Sequence, residues 1–286
     1  MSERLADVAA QIRNMRQLEA VVTAMRGIAA SRAQRARALL AGVDAYSAVV
    51  SHAIGQALAL LPADVRHALA RRAGKPGLVL FCAEQGFAGA FSERLLAAPT
   101  REERAGAAIF LIGTRGTVVA SELGLEAAWS TPMATQVEAI PALANRIADA
   151  LYGGIAAAAL SRVDIIVARA TPEGPIRIDR HALLPVDLAR FARPATALPP
   201  LTNLPPELLI ERLISEYVYA QLCAAAMHAF EAENEARMLA MASARSNIET
   251  KLTSLASRER QLRQEEITTE VVELAAGAEA LRAGRR

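Results

Sequence analysis

No proline occurs in the first 61 residues of the chain or in the last 80; all thirteen fall between Pro62 and Pro206. Proline fixes φ, lacks a backbone donor and costs a helix interior about 3 kcal/mol. Both proline-free ends are rich in Ala, Arg, Leu and Glu, and they read as two long helices around a centre built differently. Cysteine is almost absent too: Cys82 and Cys223 lie far apart, which excludes a disulfide framework and a metal pattern and fits a reducing compartment. Aromatics make up only 4%, little for one thick core but enough for helices that pack through Ala, Leu and Met. Only Lys75 and Lys251 of the 32 basic residues are lysine, a compositional bias, and a net charge of +2 gives no reason to invoke nucleic acid. No apolar run follows the first charges, so no signal peptide is expected. The nearly apolar runs Leu78 to Ala83 and Ile155 to Leu160 fall far short of the roughly 20 residues that span a bilayer. A soluble chain is expected, linked to any membrane only through a partner.

What is present at the ends is a rhythm. In the first arm Leu5, Val8, Ile12, Met15, Val22, Met25 and Ala29 follow three- and four-residue steps, with Glu19 in the one broken place. The alternation resumes at Ala36, Leu39, Val43, Tyr46 and Val50. A spacing averaging 3.5 residues keeps one seam facing a partner helix and predicts a coiled coil. The second arm repeats it at Ile210, Leu213, Tyr217, Ala220, Ala224 and Met227, is interrupted near Glu231 and Asn234, and resumes at Met241, Ile248, Leu252, Leu255 and Leu262. The arms are expected to pair antiparallel. Glu19, Arg245 and Glu259 fall on seam positions, either to fix register or to meet other subunits. Gly27, Gly42 and Gly55 are places where the first arm could bend.

The centre changes period. Leu78 to Ala83, Ala107 to Ile112 and Val163 to Ala168 are short apolar runs; between the last two, Val137, Ile140, Leu143, Ile147 and Leu151 show helical spacing. Short buried strands alternating with helices predict an α/β domain, Rossmann-like, with a mostly parallel sheet. The stretch from Pro172 to Pro206 is rich in proline and ends as a linker into the second arm. The division expected is 1–61 for the first shaft helix, 62–206 for the α/β body with its linker, and 207–286 for the second shaft helix.

Chemistry is scarce. Gly86-Phe87-Ala88-Gly89 and Gly113-Thr114-Arg115-Gly116 follow strands, but neither has the three spaced glycines and downstream acid of a dinucleotide fingerprint, and no P-loop is present. His52, His67, His181 and His228 are scattered without metal-ligand spacing, and no Gly-x-Ser-x-Gly elbow occurs. No catalytic residue, cofactor or metal is expected.

Three stretches of the second arm join these pieces: Ser215-Glu216-Tyr217-Val218-Tyr219-Ala220-Gln221, Glu233-Asn234-Glu235-Ala236-Arg237-Met238-Leu239-Ala240-Met241, and Arg263-Gln264-Glu265-Glu266-Ile267-Thr268-Thr269-Glu270. With Thr23-Ala24-Met25-Arg26-Gly27-Ile28-Ala29-Ala30-Ser31 in the first arm, the sequence resembles the gamma subunit of F-type ATP synthases over essentially its whole length. The turn Glu84-Gln85-Gly86-Phe87-Ala88-Gly89-Ala90 departs from that family's pattern by lacking its arginine, and the departures suggest a divergent, alternative F-type ATPase.

The resemblance implies a non-catalytic central rotor shaft that couples ion translocation to ATP synthesis or hydrolysis. It implies alpha and beta subunits of a catalytic hexamer, an epsilon subunit and a membrane ring of ion-carrying subunits as partners. The place implied is peripheral, on the cytoplasmic face of a bacterial inner membrane. Arg263, Gln264 and Thr268 match family positions that hydrogen-bond beta loops, and Met25 matches the position facing an acidic beta loop; spacing alone makes Met25 a plain seam residue. The alternative is a free-standing α/β nucleotide-binding protein with coiled-coil dimerisation arms.

Overall fold

The computed structural model describes residues 2–61, 74–171, 174–191 and 200–283; His67 lies outside them. Both proline-free ends are helical: α1 runs Ser2–Leu58 and α6 runs Pro206–Ala283. Pro206 opens α6 at the one helical position where its missing N–H costs nothing. Gly27, Gly42 and Gly55 all lie within α1, which is unbroken at each of them. One 18-residue window of α1 reaches a mean hydropathy of 1.3, so the expectation of uniformly short apolar runs holds for the strands but not for this helix.

Packing divides the chain into two compact units, Met1–Ile28 with Met238–Arg286, and Ala29–Arg237. In the first unit the two helices run antiparallel. Val8 and Ile12 bury against Leu255 with Leu252 and Leu262 beside them, while Val22 meets Met241 and Ile248. Glu19 and Arg245, the two seam charges, approach each other to 3.8 Å, and Arg245 also donates to Glu249 at 2.9 Å. A charge pair at one level of an apolar seam penalises shifted registers.

The second unit holds a five-stranded sheet in the order β3-β2-β1-β4-β5, with strands Lys75–Phe81 (β1), Ala108–Ile112 (β2), Trp129–Thr131 (β3), Leu160–Thr171 (β4) and Gly174–Leu184 (β5). β1 pairs parallel with both β2 and β4, β2 parallel with β3, and β5 antiparallel with β4. The helices between them are Phe91–Ala97 (α2), Arg101–Gly106 (α3), Thr114–Glu122 (α4) and Ile140–Ala156 (α5). Alternate residues of β1 serve opposite faces. Val79 and Phe81 pack with Ile165, with Leu143, Ile147 and Leu151 of α5, and with Ala36, Leu40, Val218, Leu222 and Phe230 of α1 and α6. Leu78 and Leu80 pack with Ile109, Leu111, Leu95 of α2 and Val119 of α4. A strand buried on both faces must be apolar throughout, which is why β1 reads as a run rather than an alternation.

One strand was not foreseen and one expectation is corrected. The proline-rich stretch after Pro172 begins with β5. Arg180 holds that edge strand by donating to Asp164 at 2.7 Å and to Glu103 at 2.6 Å. In α1, Leu39 and Tyr46 are off the seam, 45% and 40% exposed. Ala36 and Val50 are buried where the spacing placed them, Ala33, Leu40 and Ile54 are buried besides, and Val43 and Ser47 are half-buried between them. Steps of four and three through Leu40 and Ser47 keep one face on the body, and Tyr46 turns out to donate its hydroxyl to Glu216 at 2.5 Å.

Candidate functional site

In an open α/β sheet, ligands bind beyond the carboxyl ends of the strands, where the strand order reverses. Here that place adjoins β1, whose following turn carries Gly86 and Gly89. Two of the amides there are already engaged. Glu233 of α6, 4% exposed, accepts from the Glu84 amide at 3.1 Å and the Gln85 amide at 3.2 Å. Arg237, one helical turn on and 5% exposed, donates to Glu233 at 2.5 Å, to the Gln85 and Gly86 carbonyls at 3.2 Å, and to Asn234 at 3.2 Å. Asn234 in turn donates to the Phe230 carbonyl at 2.8 Å. Burying an ion pair is tolerable only when its remaining polar atoms are bonded, and the turn supplies those bonds. Nearby, Arg37 of α1 donates to Glu231 at 2.7 Å and pairs with Glu235.

The second glycine turn is filled in the same way. Gly113 has φ 110°, and a Cβ there would sit 2.5 Å from the Cys82 carbonyl oxygen, so only glycine fits. The free N-terminus of α4, an anion-binding position by its backbone donors, receives the carboxylate of Glu84. That carboxylate accepts from the Thr114 amide at 2.9 Å, the Thr114 hydroxyl at 2.8 Å and the Met133 amide at 2.7 Å. Phe87, between the two glycines, is 68% exposed and held at φ 63°. Beside both glycine turns, carboxylates of the chain itself take main-chain amides that could face an anion.

Groups suited to other chemistry are kept inert. Burial pushes the Cys82 thiol up to about 12 and raises that of Cys223. His228 is pulled down to about 4, chiefly by burial with Arg169 adding to it, and His181 is lowered for the same two reasons. Among the described residues no three His, Cys, Asp or Glu side chains converge as a metal would need.

The sequence-predicted contact residues all lie in the first unit, in two places. Met25 is half-buried against Val22, Met241 and Ile248. Arg263 is exposed and pairs with Glu259 at 3.0 Å; the Thr268 hydroxyl donates to the Gln264 carbonyl at 2.8 Å. Arg263, Gln264 and Thr268 therefore share one stretch of helix. Met25 is level with Met241 and Ile248, roughly 23–33 Å down the helix from Arg263 at about 1.5 Å per residue. Beyond Leu262 every described side chain of α6 is exposed except Glu266, including Ile267, Val271, Val272 and Leu274 at 55–74%.

The polar cluster of Glu233, Asn234 and Arg237 escaped sequence reasoning. Its signal was the seam interruption near Glu231 and Asn234 together with a Glu and an Arg four residues apart.

Comparison with known proteins agrees in every direction. The ATP synthase family profile matches residues 4–281. The ATP synthase gamma chain of Moorella thermoacetica is 27% identical over 288 residues, covering 97% of this chain and 99% of that one. The ATP synthase gamma chain of Solibacter usitatus is 26% identical over 296 residues, covering 96% and 98%. Among solved structures, a chain of the Euglena gracilis mitochondrial ATP synthase (OSCP/F1/c-ring) superposes with a TM-score of 0.67 at 11% identity, covering 100% of this chain and 97% of that one. At that identity the likeness concerns the fold.

Proposed function

The chain belongs to the ATP synthase gamma family, and we propose that it is the non-catalytic central shaft of an F-type ATP synthase, coupling ion flow to ATP synthesis or hydrolysis in partner subunits. The observation that carries the reading is the end of α6. Ile267, Val271, Val272 and Leu274 of this single helix are exposed, with no packing partner among the described residues, and helices are stabilised mainly by burying an apolar face. A surrounding sleeve of partner subunits supplies that cover. The alpha and beta subunits of a catalytic hexamer fill this role, with Arg263, Gln264 and Thr268 hydrogen-bonding beta loops and Met25 facing an acidic one. Arg263 suits a carboxylate partner because a guanidinium binds it with two parallel hydrogen bonds. The epsilon subunit and the ion-carrying ring meet the body and hold the complex at the cytoplasmic face of the membrane.

The nucleotide-binding alternative is disfavoured by Glu233 and Glu84, which occupy the positions a phosphate would need. Co-expression with alpha and beta subunits tests the proposal: a stable ATP-hydrolysing assembly containing this chain is expected. Recovery of the chain free of both, in a preparation where alpha and beta assemble with another gamma chain, would refute it. Within the assembly, Arg263→Ala with Gln264→Ala should lower coupled activity by tenfold or more while leaving the chain's thermal melting within a degree or two.

A further inference from the structure

The chain leaves the second unit through two helices, α1 at Ile28–Ala29 and α6 at Arg237–Met238, and both cross the division unbroken. A twist carried along the chain from one unit to the other must pass through these two crossings. Inside the second unit, the buried faces of both helices near the division are rich in alanine: Ala29, Ala33 and Ala36 in α1, and Ala225, Ala229 and Ala232 in α6. Side chains of one carbon make shallow ridges, and apolar contact has no preferred direction. Such a face seats a helix closely and grips it weakly against rolling. The directional contacts are gathered in the last two turns of α6 before the division. Glu231 and Glu235 face α1, where Arg37 donates to Glu231 at 2.7 Å and pairs with Glu235. Glu233 and Arg237 face the turn after β1, with Glu233 accepting from the Glu84 and Gln85 amides and Arg237 donating to the Gln85 and Gly86 carbonyls. One short stretch of helix is thereby tied both to its neighbouring helix and to the sheet. Hydrogen bonds weaken steeply as they depart from linearity, so ties to two different elements oppose rotation of α6 about its own axis. A buried ion pair adds little net stability over an apolar pair of the same size; what it adds here is a fixed angle.

We infer that Arg37, Glu231 and Glu235, together with Glu233 and Arg237, are positioning residues that lock α6 against roll where the helices leave the body, so that torque passes without slip. The inference rests on the shaft reading above. Cys82 and Cys223 are both buried, so a cysteine introduced at the exposed Ala157 gives a bead one accessible thiol on the body. In assemblies with alpha and beta subunits held on a surface, the bead's angle is followed during the pauses of slow ATP hydrolysis. The variance of that angle is inversely proportional to the torsional stiffness between hexamer and bead. Arg37→Met with Glu231→Gln cuts the tie to α1 without stranding the buried carboxylate. It should roughly double the variance while leaving the hydrolysis rate and the melting temperature of the chain close to native. Glu235→Gln, which severs one bond only, should give a smaller rise. A cluster that merely stabilises the fold would change melting and leave the variance of assembled rotors at its native value; that result overturns the lock. If the double variant does not assemble, Glu235→Gln decides by the same criterion. A native chain that joins no such assembly overturns the shaft reading, and the lock with it.

Discussion

Arg237→Met tests whether the cluster joining α6 to the turn after β1 is one energetic unit. The guanidinium makes four hydrogen bonds, to Glu233, Asn234 and the Gln85 and Gly86 carbonyls, at 5% exposure. Methionine keeps most of the volume but removes every donor. It leaves the Glu233 carboxylate buried with only the Glu84 and Gln85 amides to face it. Removing one partner of a buried pair costs about 3–5 kcal/mol, because the other charge stays uncompensated. Trp129, the only tryptophan, packs against Phe110 at 6.0 Å within the sheet, so its fluorescence reports on this unit alone. With a urea slope of about 2 kcal/mol/M, the midpoint should fall by roughly 1.5–2.5 M. Arg237→Met with Glu233→Gln removes the stranded charge and should recover a large part of the loss, a coupling of about 2 kcal/mol. A single-variant shift below roughly 0.5 M, or strictly additive effects in the double variant, would refute the reading of the cluster as a buried, interdependent clamp.

Gly113→Ala should cost roughly 3 kcal/mol or more, since it adds strain at φ 110° to a 2.5 Å approach to the Cys82 carbonyl oxygen; thermal melting of the full chain measures it. Gly27→Ala should do the reverse, because a Cβ there meets nothing within 4 Å; a gain of about 0.5–1 kcal/mol is expected. If Gly27→Ala stabilises the free chain yet impairs assembly, a partner approaches α1 closely at that point. His228 is neutral in the folded chain down to about pH 4 but takes a proton below about 6.5 when unfolded. Its contribution is thus fully present above pH 6.5 and is lost as pH falls from there to about 4. His228→Gln should flatten that fall by about 1–2 kcal/mol after allowance for partial exposure, seen in urea midpoints at pH 7 and pH 4.5. Exchanging the charges, Glu19→Arg with Arg245→Glu, should restore most of the loss caused by Glu19→Arg alone. At 3.8 Å and partly exposed the pair is worth under about 1 kcal/mol, so circular-dichroism melts must resolve a few degrees.

The helical ends were legible because proline exclusion and a 3.5-residue rhythm depend on local chemistry alone. The seam through the body was misread at Leu39 and Tyr46 because hydrophobicity marks large side chains, whereas a helix laid closely on a sheet turns small ones such as Ala33 and Ser47 inward. β5 was hidden by the prolines around it; its pairing with β4 depends on partners distant in sequence, notably Arg180 with Glu103. The absence of a nucleotide fingerprint could be read directly, but its cause could not. Nothing in the spacing of Glu84 or Glu233 says that their carboxylates turn back onto main-chain amides. Arg263, Gln264 and Thr268 rest on the resemblance alone, since their exposure on the helix identifies no partner.

The carboxylates at Glu84 and Glu233 have a consequence for a protein of an ATP-handling assembly. An open cradle of main-chain amides would hold stray phosphate, and its charge would drift with the energy state of the cell. A tethered carboxylate competes at an effective concentration set by the fold rather than by the cytosol. The body is thereby insulated from the very metabolite whose turnover the assembly governs, and its electrostatics stay the same whether ATP is abundant or spent.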